Sequence, residues 1–313
     1  MKQNITKIII LVFITLTLTG CVQFLKDDSN KNVKNPETGQ ALTKNILCQP
    51  AKENVKKIYE DIYIKDKENA TNIKNLPKCN NYKININDEG TLWTNVFVKP
   101  LSWVLLKVRN LVKSSGLALI ICAILLRLVL FPITKKSTLQ SENMKKAKPE
   151  IDKLNKKYEG KTDRDAMMKK SQETMAIYKK HGVSLASGCL GSLLQIPIFF
   201  AFYEAIMRVP AVFEETFLGL QLGTTPLMGL TNGHFQYLIL LLFVIGSMYF
   251  SLKIMSQSQS DEQAKQMQGM MKIMMGLIVF TSFTLSSAIG VYWVISNLFT
   301  LGQNILLKKG RLT

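Results

Sequence analysis

Arg127 stands inside an apolar run, with Leu125 and Leu126 before it and Leu128 and Val129 after it. Lys135 follows eight residues later, which on a helix leaves the guanidinium about 12 Å from that polar edge. An arginine at mid-hydrocarbon depth costs about 2.5–3.5 kcal/mol on insertion scales. Snorkelling toward the boundary recovers only part of that depth. An acidic partner is a second explanation, but the apolar runs hold only Glu204, near the opposite end of its own run. Gln195, by contrast, lies at a depth similar to Arg127. Further on, Trp293, Ser296, Asn297, Thr300 and Asn304 fall at i, i+3, i+4, i+7 and i+11, one face of a helix. Such a face points at other helices or at a water-filled cavity. Interhelical hydrogen bonding is the plain account of the stripe. Taken with Arg127, the pattern reads better as a hydrated cavity carrying a positive charge inside the membrane. The sequence has no phosphate-cradling glycine loop, no paired His and carboxylate, and no Cys/His spacing for a metal, so neither an enzyme nor a cofactor is expected. His181 reads as a solvated residue beside Lys179 and Lys180, and His234 as the start of a helix.

Long apolar elements must position these residues. The chain has 313 residues, 47% of them apolar, and its 40 basic against 22 acidic residues give a net charge of +18. Apolar runs at 117–133, 189–207, 235–252, 270–285 and 288–307 are each long enough to span a hydrocarbon core. A soluble enzyme and a soluble DNA binder are thereby excluded, and the fold class is an all-α polytopic membrane protein with five transmembrane helices. Residues 134–183 carry fourteen Lys/Arg against seven Asp/Glu, with Met144, Ile151, Leu154 and Tyr158, then Met167, Met168, Met175 and Tyr178, at helical spacing on either side of Gly160. This predicts a basic helical hairpin. The loop 209–234 has Glu214 and Glu215 and no Lys or Arg, so the charge contrast puts the hairpin in the cytoplasm and that loop outside. By alternation 256–268 is a short cytoplasmic loop, and 308–313 is a short basic cytoplasmic tail. Residues 93–114 mix Trp93, Phe97, Trp103 and other apolar residues with Lys99, Lys107, Arg109 and Lys113, as expected of an amphipathic helix lying at the interface.

The beginning of the chain reads as a targeting segment. Lys2 and Lys7 precede a short apolar run, and Leu18-Thr19-Gly20-Cys21 resembles a bacterial lipobox, so 1–20 is expected to be a lipoprotein signal and Cys21 the diacylated residue. Two acyl chains suffice for stable anchoring. Residues 21–92 are rich in Lys, Asn and Asp, and are expected to form a lipid-anchored, weakly structured external segment, with a short amphipathic helix near 54–64. Cys48 and Cys79 fall there, where a disulfide is permitted but not required; Cys122 and Cys189 fall in spans as small apolar fillers.

The span motifs resemble the YidC/Oxa/Alb family of membrane protein insertases over about residues 93–307. The similar stretches are Leu125-Leu126-Arg127-Leu128 through Phe131-Pro132-Ile133-Thr134, then Gly188-Cys189-Leu190 with Gln195-Ile196-Pro197-Ile198-Phe199-Phe200, and finally Tyr292-Trp293-Val294-Ile295-Ser296-Asn297-Leu298-Phe299-Thr300. With the lipobox, the chain is similar to the lipoprotein type of Gram-positive bacteria, in the plasma membrane with its N-terminus outside and C-terminus inside. The resemblance implies a groove open to cytoplasm and lipid and closed outside, with Arg127, Gln195 and Trp293 at groove-lining positions. It implies nascent membrane proteins as substrates, handled alone or with the Sec translocon. The basic hairpin would meet substrate, ribosome or anionic lipid, and a groove inside one chain needs no dimer. A lipid-anchored assembly factor and a small-anion transporter are the competing readings. The sequence departs from the family in the length of 22–92, in the lack of proline in the turn at Ser286–Gly290, and in the short tail after Leu307.

Overall fold

The computed structural model describes residues 22–68, 70–85, 90–183, 185–256, 273 and 275–308. Helix dominates: α1 (Glu53–Lys65), α2 (Lys99–Val112), α3 (Ser115–Lys157), α4 (Arg164–Lys180), α5 (Leu185–Met207), α6 (Pro210–Phe213), α7 (Pro226–Thr231), α8 (Gln236–Ser256), α9 (Met275–Thr284) and α10 (Ser287–Lys308). One antiparallel strand pair, β1 (Thr216–Phe217) with β2 (Leu220–Gln221), joins α6 to α7. Among the described residues α3 is long and apolar enough to cross a membrane, and Gln195–Met207, Gln236–Ser251 and Met275–Thr284 are shorter apolar stretches. The signal segment, Cys21, the loop expected at 256–268 beyond Ser256, and the tail from 309 on lie outside the described residues.

The chain divides into two compact units. The first comprises Met1–Ala123, Ile196–Leu241 and Phe283–Tyr292. Here composition misleads: residues 21–92 were expected to be weakly structured, yet within them Leu25, Leu42, Ile46, Val55, Tyr59, Ala70 and Ile73 form a buried core. α1 supplies Val55, Ile58, Tyr59 and Ile62 to it at i, i+3, i+4 and i+7, an apolar stripe. The segment itself is too poor in large apolar residues to close that core. Phe213, from the α5–α8 connection, closes it at a separation no local pattern reveals. Tyr59 donates its buried hydroxyl to the Thr43 carbonyl at 2.7 Å, and Cys48 and Cys79 form a disulfide.

The same connection caps three helices. Glu214 accepts the backbone N–H groups of Ala51 at 2.8 Å and Lys52 at 3.2 Å, just ahead of α1, whose own N-cap side chain makes no capping bond. Glu215 accepts the Ser115 N–H at 2.6 Å at the start of α3. Carboxylates suit helix N-termini because the amide donors there lack intrahelical partners. At the start of α10, Ser287 N–H bonds the Thr224 carbonyl at 2.9 Å and Ala288 N–H the Leu222 carbonyl at 3.0 Å. Gly116, in the first turn of α3, lies so close to the Phe217 ring that a Cβ there would be 2.0 Å from it. α2 follows a π-helical turn, Thr94–Val98, and ends at Lys113 in the left-handed region. Trp93 and Val98 pack on Ala201 and Ala205 of α5.

The second unit comprises Ile124–Gln195, Leu242–Ser282 and Trp293–Thr313. α3 runs without a break through Pro132 and Pro149, so the boundary expected at 133/134 is not a chain break. A proline removes one rung of the ladder, and the helix carries on past both. Met144, Ala147, Ile151, Leu154 and Tyr158 alternate by three and four along α3 and pack with Ile177, Tyr178, Val183 and Ala166. The turn passes through Gly160 at φ +77°, and Asp163 caps α4 by accepting the Ala166 N–H. Met167, Met168 and Met175, expected on the packing face, are 53%, 53% and 61% exposed, because Ala166 and Ile177–Tyr178 take that face instead.

Ion pairs fasten these two helices at both ends: Lys157–Glu173 at 2.8 Å, Lys180–Glu150 at 2.9 Å and His181–Glu150 at 3.0 Å. Hydrogen bonds from Lys180 and His181 hold the Glu150 carboxyl below its ordinary value, and those from Lys157 and Tyr158 do the same for Glu173. A carboxyl lowered in the folded state stabilises above its unfolded pKa and loses that contribution as pH falls through the lowered value. The α3–α4 contact is therefore expected to loosen below the ordinary carboxylate value of 4.5. Hydrogen-exchange protection over 144–180, corrected for intrinsic rates, should fall across that window in the wild type and much less in a Glu150→Gln, Glu173→Gln double variant.

Candidate functional site

The residues that the sequence singles out, Arg127 on α3, Gln195 on α5, and Trp293 and Asn297 on α10, all belong to the second unit. Each is half-buried, neither sequestered nor fully open. α3 holds Arg127 among exposed apolar neighbours, with Leu125 at 43%, Leu128 at 53% and Val129 at 75% exposure, the surface expected of a helix that meets hydrocarbon. Arg127, Gln195 and Trp293 each engage other groups of the protein rather than standing alone.

The polar stripe on α10 is used in part for helix pairing. Asn297 Nδ2 donates to Ser247 Oγ of α8 at 3.3 Å, and lies 3.8 Å from Met248 Sδ. Ser247 Oγ donates in turn to the Val244 carbonyl at 3.0 Å. Thr300 turns back on its own helix, bonding the Ser296 carbonyl at 2.9 Å. Ser296 Oγ is buried with no hydrogen-bond partner among the described residues. Two residues that the pattern reading missed join the set. Gln303 of α10 is 6% exposed and pairs with Thr134 of α3, its Nε2 3.1 Å from the threonine Oγ1. Gln303 sits one position off the i, i+4 series from Asn297, and Thr134 hides behind Pro132; only the signal of a lone polar residue in an apolar helix could have flagged them. Among the described residues no group of three or more His, Cys, Asp or Glu could hold a metal ion.

A second polar cluster lies in the first unit. Glu204 and Arg208, one turn apart on and just after α5, are 2% and 6% exposed, with Arg208 NH2 3.1 Å from Glu204 Oε2. Trp93 Nε1 donates to Glu204 Oε1 at 2.9 Å, and Arg208 reaches Thr94 Oγ1 at 3.4 Å. The sequence alone placed Glu204 only as an acid at the wrong depth for Arg127.

α3 thus carries an arginine within a stretch long and apolar enough to cross a membrane, and amides of α10 bond to neighbouring helices. The family model described as "60Kd inner membrane protein" matches residues 107–312. The chain belongs to that family, which comprises the YidC/Oxa1 proteins. It is 34% identical over 232 residues to "Membrane protein insertase YidC" of Oceanobacillus iheyensis, covering 73% of this chain and 88% of the relative. It is 35% identical to "Membrane protein insertase MisCA" of Bacillus subtilis, covering 74% and 86%. Among solved structures, an active YidC insertase with its first transmembrane domain resolved superposes with a TM-score of 0.50 at 24% identity, covering 79% of this chain and 51% of that one. That likeness concerns the helical fold.

The Gln303–Thr134 contact gives a direct test of cross-helix pairing. Thr134→Val, Gln303→Leu and the double variant should show a coupling energy of about 0.6 kcal/mol, the usual size for such bonds within membranes. Unfolding equilibria in bicelles would measure it, and additive single effects would remove the contact from the account.

Proposed function

We propose that this chain is a membrane protein insertase, as its curated relatives are named, and that it receives nascent membrane proteins in a polar groove within the second unit. The proposed topology has five spans, over 117–133, 189–207, 235–252, 270–285 and 288–307. The α3–α4 pair forms a cytoplasmic hairpin, α2 lies at the outer interface, and Cys21 carries the lipid anchor. The observation that carries this reading is a half-buried arginine in the apolar stretch of α3, which among the described residues is long and apolar enough to cross a membrane, in one compact unit with Gln195, Trp293 and Asn297 and within the region of the family match.

The mechanism uses no nucleotide. A substrate's polar tail entering from the cytoplasm must lose water, and Arg127 with its surrounding amides offsets part of that loss. An acidic side chain brought to 4 Å from the guanidinium gains about 4 kcal/mol at the effective permittivity of such a site. The substrate's apolar segment then moves into lipid, where burial of about 25 cal/mol per Å² drives release. Ser247–Asn297 and Thr134–Gln303 hold α8, α10 and α3 in register, and Arg127, Gln195 and Trp293 line the proposed groove. The basic hairpin approaches the ribosome, the Sec translocon or anionic headgroups by charge.

Insertion of single-spanning clients into liposomes holding only this protein tests the reading, with protease protection of the client's tail as readout. Arg127→Ala should slow clients with acidic tails about tenfold, which is about 1.4 kcal/mol, and neutral-tailed clients much less. Arg127→Lys should restore most of the rate. Equal slowing of both client sets would move Arg127 from substrate contact to structure, and no protection above empty liposomes would leave an assembly role.

A further inference from the structure

The first unit contains a cleft of about 500 Å³ that the groove mechanism does not use. Its walls are residues 49–52 and Lys56 at the start of α1, residues 78–80 beside the disulfide, Arg109 of α2, and Ala211, Glu214 and Glu215. Lys52, Lys56 and Lys78 all precede residue 107, where the family match begins, so this rim belongs to the N-terminal segment.

Charge in the cleft is unevenly committed. Both carboxylates are occupied: Glu214 takes the Ala51 and Lys52 N–H groups, and Glu215 takes the Ser115 N–H and lies 3.6 Å from Arg109 Nε. Arg109 is held by Ser115 Oγ and Asn80 Oδ1, each at 3.0 Å. The lysines are not held in this way. Lys52 and Lys56 reach Glu37 and Glu53 in surface pairs of the kind that contribute little. Lys78 is exposed, and its ammonium makes no ion pair or hydrogen bond among the described residues.

We propose that this cleft binds a phosphate ester, with the ammonium groups of Lys52, Lys56 and Lys78 closing on its oxygens. Ammonium groups on flexible stems suit a tetrahedral anion approached from several sides, and the volume admits a headgroup-sized ligand. The phosphate comes either from an anionic lipid headgroup or from a water-borne phosphate ester. The site stands independently of the insertase reading.

The test uses the full-length protein in phosphatidylcholine nanodiscs, with amine acylation of Lys56 and Lys78 read by mass spectrometry. Glycerophosphoglycerol is titrated in one arm, inorganic phosphate in a second, and phosphatidylglycerol is built into the disc in a third. Phosphate groups should protect Lys78 and Lys56 in the wild type. Lys78→Glu should weaken the protection of Lys56 about fivefold, the size expected of one exposed charge, while Lys67→Glu, an exposed lysine outside the cleft, leaves it unchanged. Protection in the lipid arm alone assigns a headgroup, and protection by the soluble probes assigns a water-borne ester. Equal protection by acetate, or a midpoint unmoved by Lys78→Glu in all three arms, overturns the proposal.

Discussion

Glu204 and Arg208 meet at the C-terminal end of α5 with almost no access to solvent, and the segment before α2 is fastened to that pair. Two buried charges are costly unless the geometry and the added hydrogen bonds are good, and removing one partner from such a pair costs 3–5 kcal/mol by analogy with measured cases, roughly a large part of a domain's stability. Trp93 and Thr94 supply the added bonds, which fastens the segment before α2 onto α5. Backbone carbonyls at the same place take up the N-terminal segment: Met207 accepts from Thr43 Oγ1 at 2.9 Å and Arg208 from the Leu47 N–H at 2.9 Å. One helix end thus organises residues that arrive from two distant parts of the sequence.

The N-terminal segment depends on the same connection for its core. Phe213 fills it, Glu214 caps α1, and Glu215 caps α3, so three consecutive residues serve three different elements. The loop between α5 and α8 is therefore a packing element in its own right. Its acidic residues, which in sequence served only to set the charge contrast between the two sides of the membrane, are used up as helix caps.

The second unit obeys the same rule in a milder form. An amide in an apolar helix must find a partner, and Asn297 and Gln303 find Ser247 and Thr134 on neighbouring helices. Part of the polar stripe is thus spent on holding helices together, which is the plain reading of that pattern. Arg127, Gln195 and Trp293 are the residues on which the proposed groove turns, and their half-buried state is compatible with meeting a substrate.

Periodicity and hydropathy made the α-helical class legible, along with α1, α2, the α3–α4 pair and the apolar stretches, because each depends on contacts within a few turns of the same chain. The unusual placement of Arg127, Gln195 and Asn297 was visible without coordinates, since a polar residue in an apolar run carries a cost, while their part in a groove belongs to the proposal. Long-range partners were not legible. Nothing local tells that Phe213 closes the core over Tyr59, that Cys48 pairs with Cys79, or that α4 buries Ala166, Ile177 and Tyr178 and leaves its three methionines outside. Nor could the sequence show that α3 continues through Pro132, since one lost backbone bond is outweighed by the packing of the helix on both sides. Sequence by itself determined which stretches are apolar enough to leave water, because that is a property of each residue's own transfer free energy. Tertiary structure decided which buried polar groups meet, because a hydrogen bond or an ion pair depends on a partner's position in space and not on its place in the chain.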